Sequence, residues 1–313
     1  MRIAILDKVH PALAERLVAS GHEILALHDQ DNAQLASALT DVQVAVVRSR
    51  KLTAAMLRGM PGLHVVGRVG AGLENIDLAY CKQHNIRVIN SPEGNRDGVG
   101  EMCVLLLLAA MKHLCRADAQ VRTGQWNREE NRGNELQGRT VGIIGYGHMG
   151  RAFAEKLAGF GVRILAHDKY VTGFGSNEVT ESSLDDLLAA SEVISLHLPL
   201  NDETRHYANA SFFARLAHPI WFINTSRGQV VDTEALLYGL DSGSVTAAGL
   251  DVLEYERADL SGIDPSPDPR TLQRLLAHDR VVLTPHVGGV THEGNARMAS
   301  ILADKILTLL RNG

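Results

Sequence analysis

Short apolar runs alternate along the chain with stretches whose apolar residues recur at helical spacing. In the first part, residues 3–6, 23–27, 44–47, 64–68 and 87–89 read as strands. Helix-like stretches such as 11–20 and 76–84 separate them. A long apolar helix is expected over about 99–114, and it is followed by a polar stretch, 122–137, rich in Arg, Glu, Asn and Gly. That stretch reads as a linker, a loop or an oligomer contact. A second series then begins, with six strands at 140–144, 163–166, 193–196, 220–223, 246–250 and 281–283. The segment 261–270, SGIDPSPDPR, reads as a loop, and a last helix is expected over about 292–310. This strand–helix rhythm predicts an α/β fold with parallel sheets and helices on both faces.

Composition narrows the class. A chain of 313 residues suits two medium domains, with 45% hydrophobic and 21% charged residues. Aromatics are only 4%, so the core must rest on Leu, Val, Ile and Ala, which suits buried parallel strands. The net charge of −5 carries no global basic excess, so nucleic acid is not an expected partner. Cys81, Cys103 and Cys115 form no CxxC pair, and an odd number is a poor disulfide framework. A reducing, cytoplasmic location is expected. The opening MRIAILDKVH reads as a strand without the apolar region of a signal peptide. The most apolar run, 104–111, is far shorter than the roughly 20 residues of a membrane helix, so no membrane is expected.

The first chemical signal is TVGIIGYGHMG running into RAFAEKLAGFG. A strand meets Gly145, Gly147 and Gly150, with Tyr146, His148 and Met149 between them, and a helix follows. The first glycine permits a tight turn, the second lets backbone approach a pyrophosphate, and the third lets helix and strand pack closely. The helix start then offers free N–H groups to the phosphates. Asp168 ends the next strand in RILAHDKY. A carboxylate there accepts ribose hydroxyls and repels a 2′-phosphate, which favours NAD over NADP. Lys169 beside it would soften that discrimination. The fold class expected is therefore two doubly wound parallel-sheet domains, Rossmann-like or flavodoxin-like. One spans 1–92 plus 290–313 and is discontinuous; the other, 93–289, binds the dinucleotide.

The fingerprint sits mid-chain, and further motifs follow it in order. They are VGRVGAGLENIDL (66–78), VINSPEGNRDGVGE (88–101), SLHLPLNDETRH (195–206), FINTSRGQVVDTEAL (222–236), AGLDVLEYE (248–256) and LTPHVGG (283–289). Together they resemble the D-isomer-specific 2-hydroxyacid dehydrogenases over nearly the whole chain, with phosphoglycerate dehydrogenases nearest in feel. The resemblance implies a catalytic set of Arg227, Glu256 and His286. It implies that His197 and Pro199 line the cofactor cleft, and that Asp251 lies close to the nicotinamide amide unless it only caps a helix. Thr204, Thr225, Ser226 and Gly288 are further cofactor-side candidates. No metal is expected.

The chemistry fits those residue types. Oxidising a 2-hydroxyacid needs a base for the hydroxyl proton, a cation for the carboxylate and a hydride acceptor. A histidine such as His286 serves as base near neutrality. Glu256 would orient the imidazole, and Arg227 would grip the substrate in a forked geometry. All three follow strands of one expected parallel sheet, where ligands gather at the carboxyl ends.

Substrate signals are fewer. Gly70, Ala71 and Gly72 read either as an anion nest for a carboxylate or as a plain turn. Arg48, Arg50, Lys51 and Arg68 flank strand ends. The resemblance puts Arg48 and Arg68 at a phosphate end, favouring 3-phosphoglycerate; a solvated basic edge is the other reading. The chain departs from the family where Arg257 follows Glu256 in place of a common Pro, and where the loop 257–270 is long. Gly98 and Gly100 read as a hinge or as a frayed helix start. The two lobes are expected to close on substrate, and a homodimer is implied by resemblance. Two alternatives stay open: a 2-ketoacid reductase of the glyoxylate or hydroxypyruvate type, and a non-enzymatic NAD(H)-sensing binding protein.

Overall fold

The computed structural model describes residues 1–30, 39–257 and 261–311. The chain divides into two compact units, Met1–Arg96 with Val290–Gly313, and Asp97–Gly289.

The first unit holds, among the described residues, five parallel strands: β1 (Arg2–Ile5), β2 (Glu23–Ala26), β3 (Val44–Val47), β4 (Val65–Arg68) and β5 (Arg87–Asn90), ordered β2-β1-β3-β4-β5. Successive side chains leave the sheet on opposite faces, and both faces are covered. Ala4, Ala45 and Val47 pack with Leu57 and Cys81 on one face. Ile3, Ile5, Val44 and Val46 pack on the other with Leu13 and Leu17 and with Met298, Leu302 and Ile306 of the last helix, His292–Arg311. Thus the chain's final helix belongs to its first sheet.

The second unit is built around β6 (Thr140–Ile144), β7 (Arg163–His167), β8 (Val179–Glu181), β9 (Val193–Leu196), β10 (Ile220–Asn224), β11 (Val245–Leu250) and β12 (Val281–Leu283). All pairings are parallel, in the order β12-β11-β10-β9-β6-β7-β8. On one face, Val141, Ile143, Trp221 and Ile223 pack with Cys103, Leu107 and Phe153. On the other, Ile144, Ile220 and Phe222 pack with Leu187, Phe212 and Leu236. The order reverses between β6 and β9, and loops leaving those two strands carry the glycine fingerprint and the HxP element. Among the described residues no single helix is long and apolar enough to cross a membrane.

The pattern reading needs three corrections here. Among the described residues the second sheet has seven strands, not six, because Val179–Glu181 pairs with β7 at the edge. Only Val179 of that strand is buried, so it leaves almost no apolar trace. The long helix runs Arg96–Met111 and then breaks at His113, which is left-handed at φ 53°; a second helix, Leu114–Arg122, follows. None of its residues is buried, so no core-facing stripe marks it. Finally, the supposed loop 261–270 ends early, because Asp268 caps a helix that begins at Pro269. Residues 258–260 of the longer 257–270 stretch lie outside the described residues.

Gly98 and Gly100 are buried inside the first helix of the second unit. A Cβ on Gly100 would stand 2.9 Å from the Ala152 carbonyl carbon and oxygen, in the fingerprint helix His148–Lys156. Close helix packing, not a frayed start, explains this glycine. Gly100→Ala should lower stability by about 1–3 kcal/mol through overpacking, read as a fall of several degrees in the melting temperature. An unchanged melting temperature with altered turnover would instead favour the hinge.

Candidate active site

The fingerprint turn is shaped by what its glycines would strike. Gly145 adopts φ +92°, and a Cβ there would lie 2.4 Å from the His197 carbonyl oxygen. A Cβ on Gly150 would lie 2.1 Å from the Gly145 carbonyl oxygen. A Cβ on Gly147 would meet nothing within 4 Å. Two glycines are therefore forced by packing, while Gly147 and His148 stand exposed at the start of the helix His148–Lys156. This open backbone at a helix N-terminus fits a pyrophosphate. Tyr146 is buried, tilted against Phe174 at 4.5 Å, with the Arg151 guanidinium 4.7 Å from its ring centre. Met149 packs against the core.

Asp168 folds over the same turn. Its Oδ2 accepts the Tyr146 N–H at 2.7 Å, and its Oδ1 accepts those of Tyr170 and Val171 at 2.9 and 3.0 Å. Burial pushes the carboxyl up, but these three donors outweigh it and hold its pKa below the usual value. The group is thus a fixed anion at the fingerprint turn, bound to three backbone N–H groups. Lys169 does not stand ready for a phosphate: it pairs with Glu203, which Tyr170 also contacts through its hydroxyl.

His197 follows β9. Its Nε2 lies 2.9 Å from Ser195 Oγ, and its Nδ1 is buried without a hydrogen-bond partner. Burial lowers its pKa to about 3, so it is neutral in the folded protein. Exposed Pro199 is tied to Thr204, whose hydroxyl donates to its carbonyl at 2.5 Å and accepts the Asn201 N–H at 2.9 Å. Thr204 therefore closes its own loop, leaving little of its hydroxyl for a cofactor.

Arg227 leaves β10 on a loop organised by a residue that sequence reasoning missed. Asn224, 1% exposed, accepts the Ser226 N–H and hydroxyl at 3.0 and 2.7 Å and donates to the Arg227 carbonyl at 2.9 Å. The one trace of this was an Asn at the end of an apolar strand, where burial demands partners. Thr225 Oγ1 lies 3.1 Å from the buried Cys103 Sγ, whose thiol burial pushes up to about 12. Half-buried Arg227 donates from Nη1 to the Ser226 carbonyl at 2.6 Å. Gly228 is closer still to its neighbour: a Cβ there would lie 1.9 Å from the Leu253 carbonyl carbon and oxygen.

Glu256 and His286 meet. His286 Nδ1 lies 2.8 Å from Glu256 Oε2, with both side chains about a quarter exposed, at 26% and 21%. The other Glu256 oxygen accepts the Leu253 N–H at 2.6 Å. Glu256 also bridges Ile263, and the Arg257 N–H donates to the Gly262 carbonyl at 2.9 Å, so the described part of the long loop folds back on this segment. His286 sits at φ +56°, a conformation that a bulky side chain adopts only when its surroundings impose it. Asp251 imposes it. This 1% exposed carboxylate accepts the Thr284 hydroxyl at 2.6 Å and the N–H groups of Val287 and Gly288 at 2.9 and 2.7 Å. Its backbone carbonyl accepts the His286 N–H at 2.7 Å. Asp251 caps no helix; it binds the turn that presents the histidine.

In the first unit, Arg48 and Arg68 stand at adjacent strand ends, since Arg68 is the register partner of Val47. Arg50 is occupied: it donates to the Gln30 carbonyl at 2.9 Å and lies 3.9 Å from Asp7. The Asp7 carboxylate also accepts three successive N–H groups, of Arg48, Ser49 and Arg50, at 2.6–2.9 Å. The expected nest at 70–72 loses its first donor. Gly70, at φ +137°, is buried beneath the Arg68 guanidinium, and its N–H donates to Ser91 Oγ at 3.3 Å. Ala71 and Gly72 remain half-exposed.

Cofactor choice offers a direct check. Asp168→Ser should raise NADP turnover relative to NAD by more than about tenfold, since each tenfold needs only about 1.4 kcal/mol. Glu203→Gln releases Lys169 from an exposed pair, worth at most about 1 kcal/mol, so the ratio should move less than about fivefold. Steady-state kinetics with both cofactors measures the two ratios.

Comparison with known proteins agrees with this geometry. The sequence profile described as D-isomer specific 2-hydroxyacid dehydrogenase, NAD binding domain, matches residues 104–288. A hydroxypyruvate reductase of Thermotoga maritima is 37% identical over 276 residues, 87% of this chain and 86% of that protein. A D-3-phosphoglycerate dehydrogenase of Archaeoglobus fulgidus is 31% identical over 99% of this chain, which spans 58% of that longer protein. Among solved structures, the D-lactate dehydrogenase of Aquifex aeolicus complexed with NAD and lactic acid matches at TM-score 0.81 and 26% identity, covering 100% of this chain and 96% of that one. The chain belongs to the D-isomer specific 2-hydroxyacid dehydrogenase family, whose members are NAD-dependent enzymes acting on a CH–OH group.

Proposed function

We propose that this chain interconverts a small D-2-hydroxyacid and its 2-ketoacid, with His286 as the acid/base. The observation that carries the reading is the 2.8 Å His286–Glu256 pair on a turn held by Asp251. Because Nδ1 is committed to Glu256, Nε2 is the ring nitrogen left to exchange a proton with substrate. In the oxidising direction it takes the hydroxyl proton, and the Glu256 carboxylate stabilises the imidazolium that forms. In the reducing direction it returns that proton to the carbonyl oxygen. Arg227, permanently charged, binds the substrate carboxylate and polarises the carbonyl. Gly145, Gly147, Gly150 and Asp168 would hold NAD, which when bound supplies the hydride acceptor. An intact acid, base and cation favour turnover over NAD(H) sensing alone.

The substrate pair we favour is hydroxypyruvate and glycerate. The hydroxypyruvate reductase relative covers most of both chains, and its substrate asks for no phosphate site. Arg48 and Arg68 on adjacent strand ends favour a second reading, a phosphorylated hydroxyacid such as 3-phosphoglycerate. A homodimer in the cytoplasm completes the proposal. Exposed Leu105, Leu114, Val121 and Trp126, which fall within one stretch of the chain, are the candidates for the contact between subunits.

NADH oxidation and NAD reduction followed at 340 nm across a panel of 2-ketoacids and D-2-hydroxyacids test this. Hydroxypyruvate should give the highest kcat/KM, and Arg48→Ala should change it by less than about threefold, as for a charge that does not meet substrate. If 3-phosphoglycerate leads and Arg48→Ala or Arg68→Ala costs it more than about tenfold, the phosphorylated reading holds. No turnover in either direction with NADH bound would move the reading to a sensor.

A further inference from the structure

A second histidine–glutamate pair lies in the same segment as the first. Glu254 and Glu256 are two residues apart, separated by buried Tyr255. Glu254 Oε1 accepts from His206 Nε2 at 2.6 Å. Its Oε2 accepts the Thr233 N–H and hydroxyl at 3.0 and 2.7 Å. His206, like His286, is left-handed, at φ +51°. Its N–H donates to the Gln229 carbonyl at 2.8 Å, and its carbonyl accepts from Asn209 at 3.0 Å. Neither residue belongs to the acid/base set.

The Leu253–Glu254 peptide explains what such a pair could do. Gly228, next to Arg227, packs directly on it, since a Cβ there would come within 1.9 Å of the Leu253 carbonyl and 2.4 Å of the Glu254 nitrogen. The Leu253 N–H fixes Glu256 Oε1, and Glu256 Oε2 meets His286. One short stretch therefore sets the height of the Arg227 loop and the aim of Glu256 together. Through Glu254 it is tied to the Thr233 helix start and, through His206, to the loop that follows the HxP element and to the turn at Gln229.

We propose that His206 and Glu254 are positioning residues that pin the Leu253–Glu254 peptide, so that Arg227 and the Glu256–His286 pair are held in register for the reaction. This rests on the acid/base reading above. A hydrogen bond to a charged carboxylate is worth more than one between neutral groups, and a partner left behind is costly. Loss of the brace therefore loosens the reacting groups while the fingerprint turn, built by other residues, stays intact.

The test compares His206→Ala, His206→Gln and Glu254→Gln with the wild-type protein. Readouts are kcat, the KM for NADH, the melting temperature, and the downfield imidazole proton signal of the His286–Glu256 bond, assigned by its loss in His286→Gln. His206→Ala should lower kcat about tenfold or more with the KM for NADH within about twofold, because misplaced groups cost rate and not cofactor binding. His206→Gln, which can still donate to Glu254, should recover most of it. The downfield signal should broaden in His206→Ala and return in His206→Gln. Glu254→Gln should fall between the two. A kcat for His206→Ala within twofold of wild type, or a loss that His206→Gln does not recover, overturns the brace. Should the wild type turn over no hydroxyacid or ketoacid, the acid/base reading fails instead, and an unchanged imidazole signal in His206→Ala still refutes the brace.

Discussion

Glu256 divides its two carboxylate oxygens between a backbone N–H and an imidazole. One is held by Leu253, the other by His286. A carboxylate gripped on one side cannot swing, so the bond on its other side has a fixed direction. That direction engages Nδ1 of His286 and leaves Nε2 turned away from Glu256. The strain of His286 at φ +56° is sustained by the four donors that Asp251 gathers from the facing turn. Gly228 then brings the Arg227 loop against the carbonyl of the same Leu253. Glu256, His286 and Arg227, the residues proposed to act on substrate, thus all follow strand ends and are held largely by backbone contacts.

The cofactor side is built on the same principle. The Gly145 turn fits only because no side chain stands between it and the His197 carbonyl. Asp168 spends most of its accepting capacity on the backbone N–H groups of Tyr146, Tyr170 and Val171, and these keep it ionised. An anion held this firmly repels a second anion without rearranging. Lys169, which sequence alone offered as a softening cation, is turned to Glu203.

Much of this was legible in the sequence because it rests on local rules. Glycine spacing after a strand, an acid at the end of the next strand, and the alternation of apolar runs each leave a mark in the residues themselves. The family motifs named Arg227, Glu256 and His286, and the structure brings the last two into contact. What stayed hidden rests on long-range packing. The edge strand Val179–Glu181 buries one residue and the helix Leu114–Arg122 none, so neither is tied to a core that the sequence could point to. Gly70 looked like a free donor until Ser91, from another strand end, took its N–H. Asn224, Glu254 and His206 are ordinary polar residues until the fold supplies their partners. Asp251 offered a choice between a helix cap and a cofactor contact, and the fold removes the cap by setting its carboxylate against the Thr284–Gly288 turn.

The most direct test of the central claim is turnover by His286→Gln, measured beside NADH affinity from fluorescence titration. Glutamine keeps a polar side chain on the turn but cannot exchange a proton near neutrality. The account predicts NADH affinity within about twofold of wild type and turnover reduced by at least about a hundredfold, the usual contribution of a general acid–base. Turnover within tenfold of wild type, with binding intact, would contradict it and remove His286 from the chemistry.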